Sequence, residues 1–426
     1  MRVLLSTFDK LDLHTLIRLF STLMAWALQG SKLPRGGLHY LQNALMSDIA
    51  HPLSKVSSSK FLPSTFRQFP IQSSRSFSSS SWARFHQIPR PNLKPKNLLL
   101  LPTPALASYT TAASSIIELD PGNSEVVSSI NPCMLTVGAA WAPKRPRSNL
   151  PEWCQADCGE DAFFTILVNS NYCLGVADGV GGWSEVGVDP SQFAWELMNN
   201  CKMHCETLGI ATRVDPKKVL TQAYNKLIKS GRVKAGSSTA CLAVVDTDTG
   251  RLCSVNLGDS GYIIIRGGVT AYRSSETTHY FNAPYQLSVI PPEMDNGGHI
   301  RNKPSEGQVA MLQLEHGDIV VMGTDGLFDN LFYKDIEEEA LTTKPVDLDR
   351  LLAQPGQSQE ALRAYTNAFA GALVKKARLR AKDRKTDSPF STEAAKHGFK
   401  FKGGKMDDIT VVVALVTMKT PAKSRI

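Results

Sequence analysis

Three apolar runs in this chain stop against acidic residues, and few folds accommodate that pattern. Leu174-Gly-Val-Ala-Asp178-Gly179 ends in a carboxylate and a glycine, as does Ile319-Val-Val-Met-Gly-Thr-Asp325-Gly326. Asp407-Asp408 then opens the run Ile409-Thr-Val-Val-Val-Ala-Leu-Val416. Runs so rich in β-branched residues predict strands, and strands this apolar are buried. Asp and Glu are rarely buried unless they are paired or bind a metal. A carboxylate at the tip of such a strand marks the floor of a site. Three tips, if the fold gathers them, would make an oxygen cage for hard divalent cations.

Around these tips the sequence predicts alternating blocks of strands and helices. Phe163–Val168 and Tyr172–Ala177 read as two strands joined by the turn Asn169-Ser-Asn171. Asp189-Pro190 and Asp215-Pro216 each predict a helix start, with Asp as N-cap and Pro at the first position. Phe193, Leu197, Cys201 and Cys205 would form the buried stripe of the first helix. Val219, Leu220, Ala223, Tyr224 and Leu227 would form that of the second. Four strands are expected between residues 239 and 272, separated by Asp248-Thr-Gly250, Gly258-Asp-Ser-Gly261 and Gly267-Gly268. Residues 291–308 predict a surface loop, and strands near 309–314 and 318–323 lead to Asp325. Residues 332–381 predict helix, with a long element from about Gln357 to Arg380. A basic polar loop, 382–405, precedes the last strand. Antiparallel strands interrupted by paired helices indicate a layered α+β fold.

The chain has 426 residues and a formal charge of +8, which suggests nucleic acid until its distribution is examined. Residues 1–115 hold 13 Lys and Arg against 3 Asp and Glu, which leaves a net −2 for the rest. No basic patch can be argued for the folded part, and nucleic acid is not an expected partner. Residues 1–115 are acid-poor and rich in Ser and Arg, as an organellar targeting segment is. Leu13–Trp26 could form an amphipathic helix there, and Arg75-Ser-Phe77-Ser78 is similar to a mitochondrial cleavage site. Prolines at 89, 91, 95, 102 and 104 mark a linker. A mitochondrial location is expected, with a plastid as the alternative. No stretch reaches the roughly 18 apolar residues of a membrane span. The eight cysteines form no C-x-x-C pair and read as reduced thiols.

Single motifs decide little. Asp178-Gly179-Val-Gly-Gly182 lets a ligand approach the backbone, but without Gly-Lys-Ser/Thr it is no nucleotide P-loop. Gly258-Asp259-Ser260-Gly261 invites a serine-nucleophile reading, yet no general base or oxyanion hole accompanies it, so it reads as a turn. The histidines are scattered, and no side-chain nucleophile is expected.

The motifs taken in order are more specific. Gly159-Glu-Asp161, Gly175-Val-Ala-Asp-Gly-Val-Gly-Gly-Trp183, Gly236-Ser-Ser-Thr-Ala240, Asn256-Leu-Gly-Asp-Ser-Gly261, Gly323-Thr-Asp-Gly-Leu-Phe-Asp-Asn330 and Asp407-Asp-Ile-Thr410 together resemble the type 2C metal-dependent protein phosphatases. The likeness spans roughly residues 130–418. Val188-Asp-Pro-Ser-Gln-Phe193, His279-Tyr-Phe-Asn282 and Ser388-Pro-Phe390 are similar to the organellar branch of that family. The resemblance implies an α+β fold, a central β-sandwich of two antiparallel sheets flanked by helix pairs, over residues 116–420. It implies a serine/threonine phosphatase with two Mn²⁺ or Mg²⁺ ions, whose bridging water attacks phosphorus. Carried over by motif, Asp178 would bridge both ions, the Gly179 carbonyl would bind one, Asp325 and Asp407 would complete the other, and Glu160 would bind directly or through water. Asp161 would stand behind these ligands, and Asp408 would orient a ligand or a water. Phosphoprotein substrates and a monomeric catalytic domain are expected.

Two departures from the family pattern stand out. Ala156 occupies the position of a phosphate-gripping Arg, and Val180 that of a His thought to protonate the leaving group. Arg145, Arg147 or a Lys elsewhere could replace the Arg. A phosphoprotein-binding module with little turnover, or a two-metal phosphodiesterase, would be the alternatives to a phosphatase.

Overall fold

The run Ile409–Val416 is apolar at all but one position because both of its faces are covered. In the computed structural model, which describes residues 132–208, 213–295, 297–354, 356 and 358–418, it lies in one of the two inner sheets of a four-layer arrangement. The targeting segment and linker expected in residues 1–115 lie outside the described residues.

In chain order the strands of the two main sheets are β1 (Cys133–Ala142), β2 (Asp161–Val168), β3 (Asn171–Asp178), β5 (Ala240–Asp246), β6 (Arg251–Leu257), β7 (Gly261–Arg266), β8 (Val269–Arg273), β12 (Gln308–Gln313), β13 (Ile319–Gly323) and β14 (Ile409–Met418). One sheet runs β1-β14-β13-β7-β8 and the other β12-β6-β5-β3-β2, with every neighbouring pair antiparallel. The short strands β4 (Gly236–Ser238) and β11 (Leu287–Val289) pair with each other, as do β9 (Thr278–Tyr280) and β10 (Ala283–Pro284).

Alternate residues of a strand point to opposite faces, and β14 shows what each face meets. Val412, Ala414 and Val416 pack between the sheets against Val320, Met322, Leu174 and Val176. Val411, Val413 and Leu415 face outward into a second cluster with Phe369, Leu373 and Ala377. Each fully buried Val or Leu contributes about 1.5–3 kcal/mol, so this strand is held from two sides.

The helices are α1 (Pro190–Thr207), α2 (Pro216–Ser230), α3 (Asp325–Phe328), α4 (Tyr333–Thr343), α5 (Leu348–Ala353), α6 (Gln359–Lys382) and α7 (Pro389–Lys396). Asp189 caps α1 by accepting from Ser191 N at 3.0 Å, and Asp215 caps α2 by accepting from Lys217 N at 2.9 Å. Phe193, Leu197, Cys201 and Cys205 of α1 join Val219, Leu220, Ala223 and Leu227 of α2 in a cluster with Phe164, Cys173, Leu242 and Val244. The α1–α2 pair thus covers one sheet while α4 and α6 cover the other.

One expectation needs correction. The stretch 382–405 is not all loop, because it contains α7. Ser388 caps that helix, accepting from Ser391 N at 3.1 Å, and Pro389 takes its first position. Only Ser391 and Ala394 of α7 are buried, so the helix carries no apolar stripe to betray it. The 332–381 block is helical as expected, in three helices, the last of them the long element α6. Strand β1 carries no alternation signal of its own, yet it pairs with β14 along its whole length, from Cys133 opposite Met418 to Ala142 opposite Ile409.

Candidate metal centre

The three strand-end carboxylates meet at one end of the sandwich. Asp178 is the last residue of β3, Asp325 begins α3 just beyond β13, and Asp407 and Asp408 immediately precede β14. Asp161 opens β2 directly opposite Asp178 in the β2–β3 register. Each sheet therefore delivers acidic groups to the same end.

Backbone contacts fix the two loops that carry them. The Asp178 carbonyl accepts from Ser238 Oγ at 2.8 Å and from Thr239 N at 3.0 Å, while Asp178 N donates to Thr239 Oγ1 at 3.0 Å. The Gly236–Ala240 motif therefore clamps the end of β3. Gly179 N donates to the Glu160 carbonyl at 3.2 Å, which ties the Asp-Gly turn to the Gly159-Glu-Asp turn. Asp408 accepts from Glu160 N at 3.0 Å and from Lys144 N at 2.5 Å, so it positions two further residues of the site. Gly159 has φ +73°, and a Cβ there would lie 2.0 Å from Asp408 Oδ1. At Gly326 a Cβ would meet the Asp408 carbonyl at 1.8 Å. Both turns need glycine for the Asp408 loop to seat.

Two lysines stand among the carboxylates. Lys144 Nζ is 2.6 Å from Glu160 Oε2, 3.3 Å from Asp407 Oδ1 and 3.3 Å from Asp408 Oδ2. Lys405 Nζ is 2.5 Å from Asp325 Oδ2, 2.8 Å from Asp329 Oδ2 and 3.3 Å from Asp407 Oδ2. Asp407 thus offers one oxygen to each ammonium group. Among the described residues no three acidic, His or Cys side chains close on one point as a finished metal shell. The carboxylates are instead arranged around the two ammonium groups.

The electrostatics say why cations are needed. Burial pushes the Asp178 carboxyl well above the usual carboxylate range, and the charges of Asp325, Asp161, Asp407 and Asp259 push the same way. Asp161 and Asp259 are raised for the same first reason, burial, with Asp408 and Asp325 respectively adding to it. Asp407 moves down: burial opposes ionisation, but Lys405 and Lys144 outweigh it. Both lysines are raised, since neighbouring carboxylates overcome the effect of burial on the ammonium. A cluster whose members repel each other except where a cation intervenes, and whose donors are carboxylate oxygens, suits hard divalent ions.

Asp259 and Asp329 belong to this cluster and were not foreseen. Asp259 lies in the turn Gly258–Gly261, as expected, but its carboxyl interacts with Asp325, Lys405 and Asp329. Asp329 accepts from Lys405 at 2.8 Å, and burial pushes its carboxyl up to about 7 against the opposing pull of that lysine. The only sequence signal was membership of the Gly-Asp-Ser-Gly and Gly-Thr-Asp-Gly-Leu-Phe-Asp motifs. Ser260 is fully buried and hydrogen-bonded to Thr239 Oγ1 at 2.8 Å, which fits the structural reading of its turn.

The basic residues near Ala156 are distinguished by where they go. Arg147 is engaged with the Gly159 carbonyl at 2.7 Å and Ser191 Oγ at 3.1 Å, and so braces the loop. Lys144, by contrast, reaches the carboxylates. Its loop is held by Arg378 of α6, which donates to the Ala142 carbonyl at 2.8 Å, to the Pro143 carbonyl and to the Asp407 carbonyl at 3.1 Å.

A two-sheet sandwich with helix pairs outside and an acidic cation site at one end is the architecture of the metal-dependent phosphatases, and the comparisons agree. The family model described as Stage II sporulation protein E matches residues 171–383. The zebrafish "Protein phosphatase PTC7 homolog" is 38% identical over 262 residues, covering 62% of this chain and 82% of its own length. The fission-yeast "5-azacytidine resistance protein azr1" is 40% identical over 264 residues, covering 62% and 83%. The solved structure of the photosystem II phosphatase PBCP superposes with a TM-score of 0.52 at 30% identity, covering 66% of this chain and 98% of that one. The chain belongs to the type 2C family of protein phosphatases. It is a metal-dependent protein serine/threonine phosphatase.

Proposed function

We propose that Asp178, the Gly179 carbonyl and Glu160 hold one Mn²⁺ or Mg²⁺ ion and that Asp178, Asp325 and Asp407 hold a second, with Asp161 and Asp408 positioning these ligands. The observation that carries this reading is the pair of ammonium groups lodged among Glu160, Asp325 and Asp407, with Asp178 buried close enough to Asp325 and Asp407 to feel their charges. Two such ions supply a water of lowered pKa and a positive field for in-line displacement at phosphorus. The chain's own residues do the rest. Asp408 holds the Glu160 backbone, Ser238 and Thr239 hold Asp178, and Lys144, displaced from Glu160 and Asp407 when an ion binds there, is the cation that meets a phosphate. A lysine serves as a point charge for phosphate where an arginine would grip it bidentately.

The substrates on this reading are phosphoserine and phosphothreonine proteins of an organelle. Residues 1–115 act as a mitochondrial transit segment and linker, and 116–420 as a catalytic domain that works as a monomer. Support for the compartment is the acid-poor, Ser- and Arg-rich composition of the leader. No helix among the described residues is long and apolar enough to cross a membrane.

Mn²⁺-dependent release of phosphate from a phosphothreonine peptide, lost in Asp178→Ala together with Mn²⁺ binding, is the test of the centre. Turnover by that variant near the wild-type rate would exclude the assignment. Imaging residues 1–115 fused to a fluorescent protein tests the compartment.

A further inference from the structure

A groove beside the metal centre, about 640 Å³ in volume, opens from Asp259 and Asp329 and runs between the β9–β10 hairpin and α7. Its lining includes Tyr280, Phe281, Phe332, Tyr333, Phe390 and His397. We infer that this groove seats one large apolar side chain of the phosphoprotein substrate, close in sequence to the phosphorylated residue. This rests on the metal-centre reading above.

Continuity comes first. Lys405 Nζ links Asp329, which lines the groove, to Asp325, so the groove opens directly beside the carboxylates proposed to hold the metals. An extended chain advances about 3.3 Å per residue, which places the groove within about two to four residues of the phosphate.

Charge then selects the occupant. The arginine and lysine on the walls already have carboxylate partners. Arg273 pairs with Glu276 and lies 5.0 Å over the Tyr333 ring. Lys396 pairs with Glu393 at 2.8 Å, and His397 lies 3.3 Å from the same residue. His279 is engaged too, with its ring 4.3 Å from that of Tyr285 and Nε2 3.1 Å from Asn302 Oδ1. These walls therefore offer no unpaired cation to an acidic side chain, while aromatic surface is left open: Tyr280 is 60% and Phe332 41% exposed. Exposed aromatics around a concave site mark a binding groove rather than an ordinary surface.

The groove is also preformed. Phe281 of the hairpin packs on Phe390 at 5.3 Å and on Phe399 at 5.2 Å, fixing the two walls relative to each other. A rigid apolar groove loses little freedom when filled.

The test uses a phosphothreonine peptide flanked by alanines and a set in which a single Phe is placed at each position from four before to four after. Wild-type enzyme with Mn²⁺ is expected to favour Phe at one or two of these positions by about tenfold in kcat/KM. Tyr280→Ser and Phe332→Ser, both at exposed sites, are each expected to bring that ratio near one. The ratio cancels any difference in active fraction between preparations. A ratio near one at every position in the wild type, or a preference that survives both substitutions, overturns the inference. If no peptide is hydrolysed although Mn²⁺ binds, the metal-centre reading fails and takes this one with it.

Discussion

Thr324 Oγ1 donates to Asp161 Oδ2 at 2.8 Å, and this bond joins the two sheets at the acidic end of the sandwich. Thr324 follows β13 in one sheet and Asp161 opens β2 in the other, 163 residues away. The same hydroxyl accepts from Thr410 N at 3.1 Å, so it also sets the start of β14 beside Asp407 and Asp408. All three residues are buried.

Thr324→Val keeps the shape and removes the hydroxyl. A buried carboxyl that loses its donor costs about 1–3 kcal/mol. The variant is expected to lose that much unfolding free energy in urea denaturation, with a lower midpoint, and to bind Mn²⁺ more weakly, as calorimetry would show. An unchanged denaturation midpoint would mean that the bond does not hold the sheets.

Asp178→Ala removes the carboxylate proposed to touch both ions. Changes to groups merely behind a metal ligand cost about 10–100-fold, so loss of the ligand itself is expected to lower turnover by at least about a hundredfold. Titration with Mn²⁺ should show the affinity falling in parallel.

Lys144→Met tests the phosphate contact. Losing a charge-assisted hydrogen bond of about 1.5–3 kcal/mol lowers kcat/KM for a phosphopeptide by roughly ten- to a hundredfold. Inhibition by inorganic phosphate should weaken while Mn²⁺ affinity does not, a combination that a purely structural lysine would not give. Lys144→Arg should recover part of the loss.

Lys405→Met leaves Asp325, Asp329 and Asp407 without their shared ammonium. Breaking a largely buried pair costs about 3 kcal/mol or more, so the metal-free protein is expected to melt on the order of 5 °C lower. Added Mn²⁺ should restore more stability to this variant than to the wild type, because a divalent ion no longer has to displace the lysine. Differential scanning calorimetry in EDTA and in Mn²⁺ measures both.

Ser260→Ala separates the turn from the chemistry. Loss of the Thr239 bond is expected to cost about 1 kcal/mol, with kcat/KM staying within about threefold. A collapse of activity in well-folded protein would reopen the nucleophile reading of Gly258–Gly261.

Much of this molecule could be read from its sequence because the relevant signals are local. Asp-Pro marks the starts of α1 and α2, alternation and apolar runs mark the strands, and a carboxylate at a strand end is conspicuous wherever the strand goes. Helix α7 was hidden because a half-exposed helix has no apolar stripe, though Ser388-Pro389 was a fair cap signal. Asp259 looked like one more turn residue, since nothing beside it in sequence says where its side chain points.

The sequence alone determined the layered fold, the three acidic strand ends and the kind of ion they would suit. These follow from backbone preference and the cost of burying charge, both of which act within a few residues. Tertiary structure decided which basic residue joins the carboxylates, that Asp259 and Asp329 belong with Asp325, and that Asp407 faces two cations at once. Lys144 meets Asp407 across 263 residues of chain and Lys405 meets Asp325 across 80. Contacts of that range exist only once two sheets have packed and turned their ends toward one point.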